Sequence, residues 1–187
     1  MKKVSVNLSN DFCPQPLYLY GTYREDGKPN FGLFCWFSYC WDGDLSVMAC
    51  IGGEKLTKDR IKATNVFSAN LVTEQLLPLA DYFGNKDGYD ADKMPADIAV
   101  THGEKLNVPV LVDSPRSYEL RVKQWVKLDG SEIMICKIEN IVSDDALTDA
   151  SKSIEERMRV ACPAVTTART YFSVGNRLGA WADWKNR

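Results

Sequence analysis

Histidine is nearly missing from this chain: His102 stands alone among 187 residues. With one imidazole and no C-x-x-C pair among six cysteines, the usual donor sets for zinc, or for a two-histidine, one-carboxylate iron site, are not available. An excess of charge is missing too. The 23 Lys+Arg oppose 25 Asp+Glu for a net charge of −2, which gives no electrostatic footprint for nucleic acid or an anionic membrane. No apolar run reaches 18 residues, and the opening "MKKVSVNLSNDFCPQP" has two lysines but no hydrophobic stretch behind them. Neither export nor membrane spanning is expected, and the chain reads as cytoplasmic. Irregularly spaced Cys13, Cys35, Cys40, Cys50, Cys136 and Cys162 are expected to be reduced and mostly packed. Without repeats, low-complexity tracts or a long linker, residues 1–187 are expected to form one domain burying roughly 70% of its unfolded surface. A dinucleotide fingerprint is also lacking, because "GGEKLTKDR" is not G-x-G-x-x-G.

What is present is β-rich. "PLYLYGTY", "FGLFCWF" and "LSVMACI" alternate with the turn chemistry of "REDGKPN" and "SYCWDGD", which predicts an antiparallel meander. A hairpin is predicted in "SYELRVKQWVKLDGSEIMICKIENIV", where Tyr118, Leu120, Val122, Val126 and Leu128 recur at period two before Asp129-Gly130. The return strand is apolar on both faces from Ile133 to Cys136, so both faces need cover, by core on one side and by a helix or a second subunit on the other. Three short helices are expected: one capped by Thr57, one starting near Thr73 with Pro78 in its first turn, and one opened by a Ser153/Glu156 capping box and stopped before Pro163. Many hairpin-joined strands with few helices predict a mainly β fold, a closed antiparallel barrel with short peripheral helices.

Two features carry chemistry. The strand "FGLFCWF" is aromatic or apolar on both faces, which on composition alone suits a core strand meeting another subunit. Shortly after it, "CIGGEKLTKDRI" sets Gly52 and Gly53, a hydroxyl at Thr57 and a cation at Arg60 around a helix start. Glycine permits close approach, Thr57 can donate a proton, and Arg60 can fork onto phosphate oxygens. An ordinary turn, N-cap and solvated helix face remain the plain alternative. Together the two features suit a ligand with a flat ring system and one phosphate.

The stretches "PQPLYLYGTYREDGKPNFGLFCWFSYCWDG", "TKDRIKATNVFSANLV" and "YFGNKDGYDADKM" resemble the flavin reductase-like, flavoredoxin-type FMN proteins over roughly Phe12 to Gly179. The resemblance implies a split β-barrel that binds FMN and forms a homodimer with each flavin near the subunit interface. It places Asn30, Trp36, Phe37 and Ser38 beside the flavin and Thr57 and Arg60 at the phosphate, where Gly53, from the glycine pair read above, is the further cofactor-binding candidate. Lys93, of an Asp-Lys pair, would reach the isoalloxazine, and Tyr171 matches a C-terminal segment. Ser117 stands where many relatives have a cysteine. No general acid or base is implied, because hydride transfer requires stacked rings. Three functions stay open: an NAD(P)H-dependent flavin reductase passing electrons to free flavin, a small acceptor or a partner protein; an FMN electron carrier without nicotinamide turnover; and a non-redox ligand-binding barrel.

Overall fold

The computed structural model describes residues 2–90 and 92–180. In chain order its elements are β1 (Gln15–Pro16), β2 (Tyr18–Tyr23), β3 (Pro29–Phe34), β4 (Phe37–Trp41), β5 (Leu45–Gly52), α1 (Leu56–Thr64), β6 (Val66–Leu71) and α2 (Leu77–Asn85). They continue with β7 (Val100–His102), β8 (Pro109–Leu111), β9 (Arg116–Lys127), β10 (Ser131–Ser143), α3 (Asp145–Thr148), α4 (Ile154–Ala161), β11 (Ala164–Thr167) and β12 (Thr170–Ser173).

The main sheet has seven antiparallel strands in the order β3-β2-β6-β9-β10-β5-β4. The fold is therefore mainly β, but two expectations need correction. The ladder is not closed: β3 and β4 occupy opposite edges and do not pair among the described residues. The predicted meander is broken at the same place, into a β2–β3 hairpin and a β4–β5 hairpin. Only Cys35 and Trp36 separate β3 from β4, so Phe34 and Phe37 are three Cα steps apart, at most about 11 Å. The sheet must curl until its edges almost meet, leaving a seam where hydrogen bonding stops. Register shifts in the β9–β10 pairing, between Ile135 and Cys136 and between Ile138 and Asn140, supply bends of the kind such curling needs.

The aromatic density of the β3–β4 region follows from this geometry, because β2 and β3 face two cores. Inside the curled sheet Tyr18, Tyr20, Phe37, Phe67, Tyr118 and Met134 pack together, with Tyr18 and Phe37 rings 4.1 Å apart. On the outer face Leu17, Leu19 and Phe31 pack beneath Ala80 and Phe83 of α2.

The β9–β10 hairpin forms as predicted, with Gly130 taking the left-handed conformation (φ 75°) that its turn requires. The capping box is also present, as Ser153 accepts from the Glu156 amide while Glu156 accepts from Ser153. Among the described residues four helices form rather than three, and two starts differ from expectation. Lys55, not Thr57, is the N-cap of α1, and α2 begins at Leu77 with Pro78 in its first turn. Thr73 instead accepts a bond from the Leu76 amide ahead of that helix. No described helix is long and apolar enough to cross a membrane. All six cysteines are unpaired, and burial pushes the Cys136 thiol up to about 12.

The turn between β11 and β12 is unusual. Its two central residues, Ala168 and Arg169, have φ of 50° and 57°. A two-residue hairpin with both residues left-handed normally takes glycine or asparagine, and L side chains there cost about 1–2 kcal/mol each.

One buried charge organises the far end of the sheet. Glu119 is fully buried, and its carboxylate accepts from the amides of Glu104 (2.9 Å), Lys105 (2.9 Å) and Leu106 (2.6 Å) and from Asn140 Nδ2 (2.8 Å). Burial pushes this carboxyl up, but the four donors outweigh it and hold the group below the usual carboxylate range. A Cβ on Gly103 would lie 2.6 Å from Glu119 Oε2, so the loop closes on the carboxylate without room for a side chain. The lowered value means that this stabilisation is present above the ordinary carboxylate range and is lost as pH falls through the folded value. Glu119→Gln should cost about 2–3 kcal/mol, lower Tm by roughly 5–10 °C near neutral pH and flatten the acid limb of stability, as followed by circular dichroism. An unchanged acid limb would remove Glu119 from that role.

Candidate functional site

A groove of about 480 Å³ opens between β3, the start of α1, the end of α2 and the loop that carries Lys93. That volume lies within the range of small-molecule sites. Its back wall is Gly32, Leu33 and Phe34 of β3. A Cβ on Gly32 would sit 3.0 Å from Thr57 Oγ1 and 2.9 Å from Phe34, so only glycine lets strand and helix approach this closely.

Gly53 turns the chain from β5 toward α1 at φ 66°, its amide donating to Gly130 O (3.1 Å) and its carbonyl accepting from Lys58 Nζ. The helix then starts with no side-chain cap on its first amides. An uncapped helix start is a region of positive potential with unused donors, suited to an anion. Thr57, the second helical residue, is buried, and its hydroxyl accepts from Asn30 Nδ2 at 3.0 Å. Asn30 Nδ2 also donates to Thr22 Oγ1 (3.3 Å), leaving Asn30 Oδ1 buried without a partner among the described residues. That orphaned acceptor lies 3.6 Å from where a Cβ on Gly88, a groove residue, would stand.

Lys93 closes the site. The residue is 4% exposed, and among the described residues its ammonium forms no hydrogen bond or ion pair. It lies over the Phe83 ring, 5.7 Å from the centroid. Desolvation, opposed in part by Asp87, lowers its pKa to about 8. The surrounding loop is fixed from outside. Arg24 donates to the carbonyls of Gly88 (3.0 Å), Asp90 (2.9 Å) and Tyr89 (3.5 Å), Tyr89 OH donates to Asp59, and Tyr82 OH donates to the Lys93 carbonyl at 3.1 Å. A buried, unpaired cation on a loop held this firmly is a group awaiting an anionic or electron-rich partner.

The other residues singled out from sequence are distributed differently. Arg60 turns away from the groove, donating from Nε to Tyr23 O (3.0 Å) and from Nη1 to Glu25 Oε1 (2.9 Å), in a cleft shared with His102. Its acceptors belong to the β2–β3 hairpin, more than 30 residues upstream. Trp36, Phe37 and Ser38 line a separate cleft of about 140 Å³ with Met48, Cys50 and Ile133. Within it, Phe37 belongs to the core and Trp36 is half exposed. Tyr171 borders a third cavity, about 400 Å³, which shares Leu33, Phe34, Gly84 and Asn85 with the groove. Its phenol donates to Asp81 Oδ1 at 2.6 Å and is pushed up to about 12, first by burial and then by that bond. The structure thus brings Asn30, Thr57 and Lys93 together with Gly53 adjoining, while Arg60 and the Trp36–Ser38 segment lie elsewhere. Sequence reasoning missed Arg24, Tyr89 and Phe83, whose roles exist only through contacts across the chain.

Comparison with known structures places the fold. The flavoredoxin of Desulfovibrio vulgaris (Miyazaki F) superposes with a TM-score of 0.86 at 23% identity, covering 100% of both chains. An FMN-binding protein from Thermus thermophilus, solved with bound p-hydroxybenzaldehyde, gives 0.77 at 15% identity over 96% of this chain and 97% of its own. A protein with a split barrel domain from Shewanella frigidimarina gives 0.80 at 16% identity, over 92% of this chain and 88% of its own. No curated protein matches the sequence. The family model of the flavin reductase like domain matches residues 10–174, and the chain therefore belongs to the flavin reductase-like family.

Proposed function

We propose that the groove binds FMN and that the protein is a cytoplasmic flavin oxidoreductase, taking reducing equivalents from NAD(P)H and passing them to free flavin, a small acceptor or a partner protein. The observation that carries this reading is Lys93, buried and unpaired beside an uncapped helix start and the orphaned Asn30 Oδ1. The residues present fit the group. The amides at the start of α1, with Lys55 and the Thr57 hydroxyl, suit one terminal phosphate. Asn30 Oδ1 suits a donating N–H, and Leu33, Phe34 and Phe83 suit a flat apolar ring system.

Bound FMN supplies two-electron chemistry with a hydride donor and an acceptor. The chain contributes positioning and charge. With FMN in the groove, Lys93 would supply a cation to an anionic ligand, and its low water exposure would strengthen that interaction. Gly32 and Thr57 keep the β3 backbone against the helix start, so the pocket is formed before the ligand arrives. The likeness to flavoredoxin supports a second reading, an electron carrier that does not oxidise NAD(P)H itself. Steady-state NADH and NADPH oxidation by the FMN-loaded protein separates the two.

Purified protein should show flavin bands near ~370 and ~450 nm, or quench the fluorescence of added FMN. Protein that does neither would refute both flavin readings. Lys93→Met should lower the midpoint potential of bound FMN by on the order of 30 mV, about 1.4 kcal/mol for a two-electron couple. The same change removes a buried charge and should raise Tm at pH 7 by about 2–4 °C, roughly 1 kcal/mol. Arg60→Ala, on the far side of α1, should leave FMN affinity within about twofold, below the loss expected of a direct charged anchor.

Affinity should also depend on pH. Lys93 loses its proton near pH 8 in the free protein, and an anionic ligand favours the charged form. FMN binding should therefore weaken as pH rises from 7 to 9.5, and this slope should vanish in Lys93→Met. Equal slopes in both proteins would show that Lys93 does not face the ligand.

A homodimer belongs to the same proposal. Val126, Ile133 and Cys50 share one cross-strand row, and Ile135, Met48 and Ser38 the next, all on the outer face of the sheet. Met48 and Val126 are 40% and 37% exposed. A patch of this kind beside half-exposed Trp36 suits a self-complementary interface. Light scattering should give about twice 21.0 kDa, and Met48→Lys should shift it toward the monomer. A monomeric wild type at micromolar concentration would contradict this assembly.

A further inference from the structure

We propose that the aromatic core of the curled sheet is a route for oxidising equivalents, carrying them from the groove through Tyr20 and Tyr118 to Tyr39 at the surface. Only the source of the oxidant rests on the flavin reading above, since a reduced flavin and dioxygen generate oxygen-centred radicals where they meet. The route itself is a property of the chain.

The rings form an unbroken line. Phe34, in the back wall of the groove, stacks on Tyr20 with centroids 4.5 Å apart and planes at 18°. Tyr20 lies 6.4 Å from Phe37, Phe37 lies 5.7 Å from Tyr118, and Tyr118 lies 6.3 Å from Tyr39. Tyr18, 4.1 Å from Phe37 and 6.0 Å from Tyr118, doubles the middle step. Each separation is that of directly interacting rings.

Tyr20 carries the inference. It is fully buried, and its hydroxyl has no partner among the described residues. Phenylalanine would fill the same space without an orphaned polar group, so packing does not account for the oxygen, whereas redox chemistry does. A phenol ring gives up an electron far more readily than a phenyl ring. With no acceptor for its proton, oxidised Tyr20 cannot settle as a neutral radical, and the hole moves on.

Tyr39 is where the hole can stop. Its side chain is half exposed, and its hydroxyl oxygen lies 2.6 Å from that of Tyr118. Arg116 Nε donates to Tyr118 OH at 3.2 Å, which directs the Tyr118 proton toward Tyr39 and frees the Tyr39 proton for water. The Arg116 guanidinium, 5.5 Å from the Tyr118 ring centroid, also disfavours positive charge on that ring. In the complete step the oxidant gains one electron, and Tyr39 loses that electron and one proton, the proton passing to water. A one-electron reductant at the surface, a thiol or ascorbate, restores the phenol, which takes its proton back from water.

The test illuminates FMN-loaded protein, freed of excess FMN, with blue light, the excited flavin serving as oxidant and a cobalt(III) ammine as final electron acceptor. Radicals are followed by electron paramagnetic resonance of frozen samples and located by biotin-tyramide coupling with peptide mass spectrometry. Wild type should give a neutral tyrosyl radical and a label on Tyr39, which Tyr39→Phe should remove. Tyr20→Phe should reduce labelling of Tyr39 at least about tenfold, because the height of the intervening barrier enters the rate exponentially. The same variant should keep FMN affinity within about twofold without lowering Tm, since it removes only an unpartnered hydroxyl. Equal labelling of Tyr39 in Tyr20→Phe and wild type, or a label elsewhere in place of Tyr39, would overturn the route. Should no FMN bind, the flavin reading fails, and a ruthenium polypyridyl photo-oxidant attached to Asn85→Cys on the groove wall, with exposed Cys13 and Cys162 replaced by serine, injects the hole instead. Tyr20-dependent labelling of Tyr39 would then uphold the route, and labelling that is absent or independent of Tyr20 would end it.

Discussion

Two residues, Cys35 and Trp36, join strands at opposite edges of a seven-stranded sheet, and the rest of the architecture answers to that short tether. A flat sheet of seven strands would place its edges about 28 Å apart, six spacings of roughly 4.7 Å. The link spans at most about 11 Å. Curling closes the difference, aided by the β9–β10 register shifts, and encloses the aromatic core between Tyr20, Phe37, Phe67 and Tyr118. Because the edges approach without pairing, the seam leaves β3 with one free edge. There the backbone at Gly32 meets the helix start rather than another strand.

The groove inherits its chemistry from this arrangement. A paired edge would have satisfied β3 along its length and covered Leu33 and Phe34. Instead α1, α2 and the Lys93 loop converge on it, each contributing an end rather than a face. Ends are where backbone donors, turns and long side chains collect, which is why a cation and an uncapped helix start line one cavity with an orphaned amide oxygen buried beside it. Burial of Lys93 then lowers its proton affinity, so that an anion bound beside it would be linked to its protonation.

Much of this was legible in the residues themselves, and the exceptions have physical causes. The β9–β10 hairpin and the Ser153 cap depend on contacts near in sequence, and their signals are local. Resemblance, not periodicity, pointed to Lys93 and Asn30, whose types alone are compatible with ordinary surface positions. Arg60 points away from the groove because spacing on a helix sets direction only to within a long side chain's reach, and its guanidinium bonds Tyr23 and Glu25 instead. Closure of the barrel was overread for a related reason, since alternation reports that strands exist but not which edges remain unpaired. Glu119 gave no warning, as its four donors lie up to 21 residues away.

The grip of Arg24 on the Lys93 loop has a different kind of consequence. All three of its bonds go to main-chain carbonyls, at Gly88, Tyr89 and Asp90, so it fixes the path of the loop without reference to the side chains displayed there. Shape is thereby made independent of the side chain at position 90, though not of Tyr89, whose hydroxyl bond to Asp59 is a second hold on the loop. A side chain at 90 can change while the trajectory is kept, whereas a change at 89 gives up one of the contacts that set it.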